Sequence, residues 1–378
     1  MLPTRSRSEP VALGPDDIRR IVVLRGGGLG DFVFAMPALS AVRARFPGAR
    51  IEVIGEPWLA GFLEGRPGPV DAVTAIPASI RRGLASGVYE QESELNTFVA
   101  EVAREPIDIA VQIHGGGRHS NPFIRRLNAR LAVGLRTDDA AELDRWVPYD
   151  YYHSEVLRDL EAVGLVGARP VDIEPRVVVT EADRAEARAA LAGIEGPFAI
   201  LHPGATDARR RWPTHSFALV GDRLAEAGAA VVIVGTSGER GLVDDVEASM
   251  TRPARGLVGH VSVGGLAGLL EGASVVVAND SGPVHLAAAV GTATVGIYWC
   301  GNLINAGPLT RSRHRPQLAW RITCPVCGVD CTSDQCDHRE SFVADVPAGA
   351  VAAAALGLFR RDRSEVSPAQ PEPVAAHR

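Results

Sequence analysis

Ser274-Val-Val-Val-Ala-Asn-Asp-Ser-Gly-Pro-Val-His-Leu-Ala-Ala-Ala-Val290 holds a strand, a polar turn and a helix start in one short run. Ser274–Ala278 is β-branched and uninterrupted by charge, which suits a strand buried on both faces. Asn279-Asp280-Ser281-Gly282 breaks it, and Pro283 stands where a first helical turn tolerates proline, opening a helix over Pro283–Val290. The first N–H groups of that helix have no intrahelical partner. Together with the Ser281 hydroxyl, and with His285 in the first turn, they form an anion cradle at the end of a strand.

The same unit recurs on both sides. Phe198–Leu201, Ala230–Val234 and Ala293–Ile297 read as strands, and Thr214–Ala227, Arg240–Met250 and Gly264–Glu271 as helices between them. Nearer the N-terminus, Ile21–Leu24, Ile51–Ile54 and Ile107–Ile113 read as strands, and Phe34–Arg45 and Tyr151–Val163 as helices. Strands alternating with helices give parallel sheets covered on both faces. The two series meet at Gly164–Pro175, so the chain divides into an N-terminal α/β domain over 18–167 and a second over 168–360. Residues 1–17 and the proline-rich, charged 361–378 are expected to be disordered.

At 378 residues and 46% hydrophobic, both domains can bury a core. All 39 basic residues are arginine, which excludes a Walker A lysine, a Schiff-base lysine and a pyridoxal phosphate anchor. The net charge of -6 argues against nucleic acid as a partner. No apolar run is long enough for a transmembrane segment, and polar Met1–Pro10 does not look like a secretory signal, so a cytoplasmic location is expected.

The first strand runs into Arg25-Gly-Gly-Gly-Leu-Gly-Asp31. Gly26 and Gly28 fit the first two positions of a G-x-G-x-x-G dinucleotide fingerprint, but the third is Asp31. A carboxylate there would repel a pyrophosphate. It suits either a cap of the helix start or a base that takes a proton from a hydroxyl. In the second half, Leu201-His-Pro-Gly-Ala-Thr206 leads through Arg209-Arg210-Arg211-Trp212-Pro213 to a helix, and Gly235-Thr-Ser-Gly-Glu239 ends the next strand. Arginines before a helix start can meet phosphates, as can a solvated basic turn that binds nothing. Ligands of open parallel sheets bind beyond the carboxyl ends of strands, where these loops lie.

Leu-Gly-Asp, His-Pro-Gly-Ala, Arg-Trp-Pro and Asn-Asp-Ser-Gly-Pro-x-His-Leu-Ala-Ala, in this order, resemble glycosyltransferase family 9, the ADP-heptose:lipopolysaccharide heptosyltransferases. The resemblance runs from about Ile21 to Val346. It implies a GT-B fold, two Rossmann-like domains with parallel sheets facing across a cleft, and a C-terminal segment that packs back against the first domain. It implies inverting transfer of a sugar, heptose, from a nucleotide-activated donor, ADP-heptose. The acceptor would be a hydroxyl of a lipopolysaccharide core or other surface glycan, a glycan or glycolipid at the inner membrane face, and catalysis would require no cofactor. Matched by position, Asp31 is the catalytic base, and Thr206, Arg210, Glu239, Asp280, Ser281, Gly282 and His285 surround the donor. Lysine is common in the family where Arg210 stands, and Tyr298-Trp-Cys-Gly-Asn-Leu-Ile-Asn305 departs from the family's Phe-Gly-Pro run. Asp280→Ala and His285→Ala are expected to weaken nucleotide binding with the fold intact.

On the acceptor side, Gly28 and Gly30 belong to the glycine turn, and Gln112-Ile-His114-Gly-Gly-Gly-Arg118 ends another strand, where His114 and Arg118 can meet acceptor groups or form a polar loop. Two other classes compete. A dinucleotide-dependent oxidoreductase would use Glu56 at the end of the second strand, though Asp31 breaks its fingerprint; a non-catalytic nucleotide-sugar-binding module would not need Asp31. Cys324, Cys327, Cys331 and Cys336 cluster, with His338 close behind, and leave structural zinc, a redox-sensitive disulfide and reduced packing thiols open. Cys300 reads as core.

Overall fold

The computed structural model describes residues 14–334 and 336–366. Short β-branched runs form the strands of a first sheet: β1 (Arg20–Leu24), β2 (Arg50–Gly55), β3 (Ala72–Ala75), β4 (Ile109–Gln112), β5 (Leu131–Arg136) and β6 (Arg145–Pro148). A second sheet holds β7 (Phe198–His202), β8 (Ala230–Gly235), β9 (Ala254–Val258), β10 (Val275–Asn279), β11 (Thr294–Trp299) and β12 (Gln317–Ala319). Around the first sheet lie α1 (Leu29–Arg45), α2 (Trp58–Leu63), α3 (Ala78–Ser86), α4 (Glu92–Val102), α5 (Ser120–Arg126) and α6 (Glu155–Gly164). The second half carries α7 (Glu181–Ala190), α8 (Thr214–Glu226), α9 (Arg240–Ser249), α10 (Val263–Gly272), α11 (Gly282–Ala289), α12 (Cys300–Ala306) and α13 (Ala348–Val366).

All pairings between these strands are parallel, in the orders β3-β2-β1-β4-β5-β6 and β9-β8-β7-β10-β11-β12. The two sheets therefore repeat one doubly wound topology. In each, the order reverses between the first and fourth strands, and the loops beyond those strands border a crevice suited to ligands. In the first sheet these are the Arg25–Gly28 turn after β1 and the His114 loop after β4; in the second, the His202–Thr206 loop after β7 and the Asn279–Ser281 turn after β10. The α/β, two-sheet expectation is met.

One apolar core crosses between the halves, because α1 packs against both α6 and α11. After β6 the chain runs through α6, still packed on α1, to α7, packed on α10 of the second half. Arg66 ties the halves together, with Nη1 2.6 Å from Asp183 Oδ2 and its guanidinium over the Phe62 ring.

The C-terminal expectations need correction. The final helix does not cross back to the first half: α13 packs on α8, β10 and β11. Its buried residues Val351, Ala352, Ala355, Leu358 and Phe359 form one helical stripe within the core of the second sheet. The helix runs to Val366, beyond the limit expected at residue 360; residues 367–378 lie outside the described residues. At the other end, residues 1–13 lie outside them too, and Pro15–Asp17 forms a 3-10 turn.

Candidate active site

The turn after β1 needs glycine at Gly27, whose φ of +102° lies in the left-handed region. Gly28 is the N-cap of α1, and Asp31, three residues on, reaches back so that Oδ2 accepts the Gly28 N–H at 2.7 Å. Arg25 holds the same residue from beneath: Nε donates to the Asp31 carbonyl at 2.9 Å and Nη2 to Oδ1 at 3.3 Å. The Asp31 side chain still keeps 44% exposure. Asp31 thus does what a capping residue does while presenting its carboxylate outward. His114 lies against the turn, 3.1 Å from where a Cβ on Gly26 would stand. Burial, then the Arg25 charge, pushes its pKa down, which favours the neutral ring at pH 7. Arg118 turns to solvent and pairs with Asp139 at 3.4 Å.

Behind the turn is a buried charge network. Arg25 is 4% exposed and donates to Glu155 Oε2 at 2.8 Å and to the Ile113 carbonyl at 2.7 Å. Burial alone would lower its pKa, but Asp159, Glu155 and Asp31 raise it on balance, so it stays charged. Arg158 adds a 2.6 Å pair to Glu155 and stacks over Tyr149. Asp159 is fully buried, and among the described residues neither of its carboxyl oxygens has a hydrogen-bond donor. Desolvation pushes its pKa up to about 7 against the pull of Arg25. An acid whose folded pKa is raised contributes stability below its unfolded pKa of about 4 and loses it as pH rises toward the folded value. Thermal melts of the parent and Asp159→Asn between about pH 5 and pH 8 should show the variant gaining on the parent as pH rises; parallel curves would contradict the shift.

In the second half the loops converge on Asp280, which is 1% exposed. Its Oδ2 accepts from Arg210 Nη1 at 3.1 Å and from Asn302 Nδ2 at 2.8 Å, while Oδ1 meets His285 Nε2 at 3.1 Å. Burial would raise the Asp280 pKa; His285 and Arg210 bring it below the ordinary value. Asn279 joins the ends of β10 and β7, accepting the Trp212 N–H at 3.0 Å and donating to the Pro203 carbonyl at 2.8 Å. The Ser281 hydroxyl donates to the Asn279 carbonyl at 3.1 Å and lies 3.2 Å from His202 Nδ1. It makes no side-chain cap, so it does not occupy the N–H groups that open α11. His202 Nε2 lies 3.6 Å from Glu239, and this contact, with donors from Thr236, holds the Glu239 carboxyl at about 2.

The two half-sites meet at their helix starts. A Cβ on Gly282 would stand 2.9 Å from Leu29 Cβ, and one on Gly30 would stand 3.0 Å from His285 Cδ2. The His285 ring also lies 4.5 Å from Phe34 of α1. Glycine at Gly30 and Gly282 lets α1 and α11 touch end to end, which brings the first turn carrying Asp31 to the helix start carrying Gly282. Gly30, expected on the acceptor side, is half-buried, with one side against His285 of the second half. Around Arg210 and Asn302, the partners of Asp280, opens a cavity of about 440 Å³ whose lining also includes Arg209, Tyr151, Tyr152 and Trp299.

Of the three adjacent arginines only Arg210 reaches Asp280; Arg209 pairs with Asp207 at 2.6 Å and Arg211 donates to the Ala205 carbonyl at 2.9 Å. Thr206 is exposed. Cys300, expected in the core, is half-buried at the first position of α12. Glu56 is buried and spoken for, 2.5 Å from Arg81. The sequence reading did not single out Arg25, Glu155, Asp159, His202 or Asn302. His202 and Arg25 stand inside motifs already quoted, which was the available signal; Glu155 and Asp159 meet Arg25 only across some 130 residues of sequence.

The family model for glycosyltransferase family 9 (heptosyltransferase) matches residues 115–318. Lipopolysaccharide heptosyltransferase 1 of Pseudomonas aeruginosa is 24% identical over 314 residues, covering 82% of this chain and 86% of that protein. The glycosyl transferase family 9 structure from Veillonella parvula superposes with a TM-score of 0.74 at 20% identity, over 91% of this chain and 98% of that one. The Escherichia coli ADP-heptose LPS heptosyltransferase II structure gives a TM-score of 0.72 at 18% identity, over 91% and 99%. The two facing sheets are the GT-B architecture of these neighbours. The family match excludes the oxidoreductase reading that Asp31 already disfavoured, and the chain belongs to glycosyltransferase family 9.

Proposed function

We propose that this glycosyltransferase moves a heptose from ADP-heptose to a sugar hydroxyl of a lipopolysaccharide core or related surface glycan, with inversion and with Asp31 as the base. The observation that carries the reading is the contact of the two helix starts, Gly30 against His285 and Leu29 against Gly282. It sets a half-exposed carboxylate from one half beside the helix start and the Arg210 guanidinium of the other.

The second half holds the donor. Its diphosphate lies toward the Arg210 guanidinium and the Gly282 N–H at the start of α11, which meet the charge that grows as ADP leaves, without a metal ion. The acceptor hydroxyl attacks the anomeric carbon from the opposite face, and Asp31 takes its proton. Asp31 is suited to this because Arg25 and the Gly28 N–H fix its orientation and leave lone pairs on the exposed side. The neutral His114 ring beside the turn can hydrogen-bond an acceptor hydroxyl. A glycolipid acceptor would be met at the inner membrane face, from the cytoplasm; among the described residues no helix is long and apolar enough to cross a membrane.

Thermal-shift titrations with ADP, UDP, GDP and NAD test the nucleotide, and ADP release from ADP-heptose in the presence of heptose-deficient lipopolysaccharide tests the transfer. Stabilisation by ADP above the others and acceptor-dependent ADP release are expected. Preference for UDP or GDP, or turnover with a hexose donor alone, would overturn the donor assignment.

A further inference from the structure

Cys324, Cys327, Cys336 and His338 offer ligand atoms that all lie within 4.8 Å of one another, and the transfer reaction uses none of them. Their loop is built like a metal-binding turn. Cys324-Pro-Val-Cys327-Gly328 closes on itself, with the Gly328 N–H donating to the Cys324 carbonyl at 3.0 Å and Gly328 at a φ of +73°. The Val326 N–H points at the Cys324 sulfur at 3.4 Å, the kind of outer hydrogen bond that ligand atoms receive around a metal. Beyond the turn, Cys324 N–H to Val329 O at 2.8 Å and Cys331 N–H to Ile322 O at 2.9 Å form a small antiparallel clip. His338 supplies a second, independent sign: its Nδ1 is buried and has no hydrogen-bond partner among the described residues.

The loop has little else to hold it. Ile322 and Val326 are exposed at 46% and 53%, so it lacks a core of its own, and all five cysteines are free thiols. Three thiolates and one imidazole suit tetrahedral zinc, with Zn–S near 2.3 Å and Zn–N near 2.0–2.1 Å. Ligand atoms in such a site stand roughly 3.5–4 Å apart, so the four need only a small inward movement. Cys331 is outside the set; its thiol donates to the Val329 carbonyl at 3.5 Å.

We propose that Cys324, Cys327, Cys336 and His338 bind one zinc ion, and that this ion fixes a wall of the cavity beside Arg210. Cys331, Thr332, Ser333 and Asp334, which lie between the second and third ligands in sequence, line that cavity together with Arg209 and Asn302. Binding moves no electrons. The three thiols each release a proton to solvent, the imidazole binds neutral, and Zn²⁺ with three thiolates leaves one net negative charge.

The test is elemental analysis of the full-length protein, freed of any affinity tag and dialysed against a weak chelator. Close to one zinc per chain is expected, released on titration with a mercurial that caps thiols. Cys327→Ser and His338→Ala should each retain less than about a tenth of the parent's zinc, since loss even of an outer-shell partner costs 10–100-fold in affinity; Cys300→Ser, outside the set, should retain it. Iron in place of zinc, a metal-free parent with a Cys324–Cys327 disulfide found by mass spectrometry, or equal zinc in all three variants would overturn the proposal. The metal content of the parent decides the matter even if a variant fails to fold. ADP titration of zinc-stripped protein tests the cavity wall separately: affinity should fall about tenfold or more, and unchanged affinity would reduce the ion to a staple remote from the donor.

Discussion

Asp31→Asn should lower turnover about 10²–10⁴-fold and leave ADP affinity near that of the parent. Asparagine keeps the shape, and its side-chain oxygen can still accept the Gly28 N–H that Asp31 accepts at 2.7 Å, so the start of α1 stays capped. What it loses is the ability to take the acceptor's proton. ADP binding should survive because the proposed donor contacts, Arg210 and the start of α11, belong to the second half. Steady-state ADP release and calorimetric ADP titration, run on the same preparations, separate the two effects. Near-parent turnover would leave Asp31 as a cap alone, and an equal loss of ADP binding would place it in the donor site.

Asp280→Ala should cost about 3 kcal/mol or more of folding stability, with ADP affinity falling alongside. This revises the sequence-based expectation that the substitution leaves the fold intact. Asp280 is 1% exposed and is the common partner of Arg210, His285 and Asn302. Removing it strands a buried cationic site whose donors then have no acceptor, and breaking a buried pair from one side typically costs about 3–5 kcal/mol. The 29% exposure of Arg210 places the effect toward the lower end. Asp280→Asn, which keeps an acceptor while losing the charge, should destabilise less. Urea unfolding of the parent and both variants measures this, and an Asp280→Ala protein as stable as the parent would contradict the network.

The strands that carry the site were legible because each is short, β-branched and buried on both faces: β1, β7 and β10 stand out from their flanks. Strands at or near the sheet edges were not. Ala72–Ala75, Arg145–Pro148 and Gln317–Ala319 are three or four residues long and only partly buried, so their apolar signal is too weak to separate from loop. The helix expected from Tyr151 begins at Glu155, and the residues ahead of it form the loop that turns Tyr151 and Tyr152 toward the cavity. In α1 the glycines hid a first turn that begins at Leu29, so Asp31 lies inside the helix rather than before it. No helix was read over Ala348–Val366; the stripe of α13 shows only once the structure lays it against the second sheet. The Arg25–Glu155–Asp159 network had no sequence signal, because a pair 130 residues apart becomes visible only once α6 is laid across α1.

In the proposed mechanism the two halves divide the labour: the second holds the nucleotide and the first supplies the base, meeting where α1 and α11 touch. A crystal structure of the protein with ADP bound tests it most directly. The account predicts the diphosphate against the N–H groups at Gly282 and within hydrogen-bonding distance of Arg210, with Asp31 facing the space beyond the terminal phosphate and not contacting it. A diphosphate seated on the Gly26–Gly28 turn of the first half, beside Asp31, would contradict it.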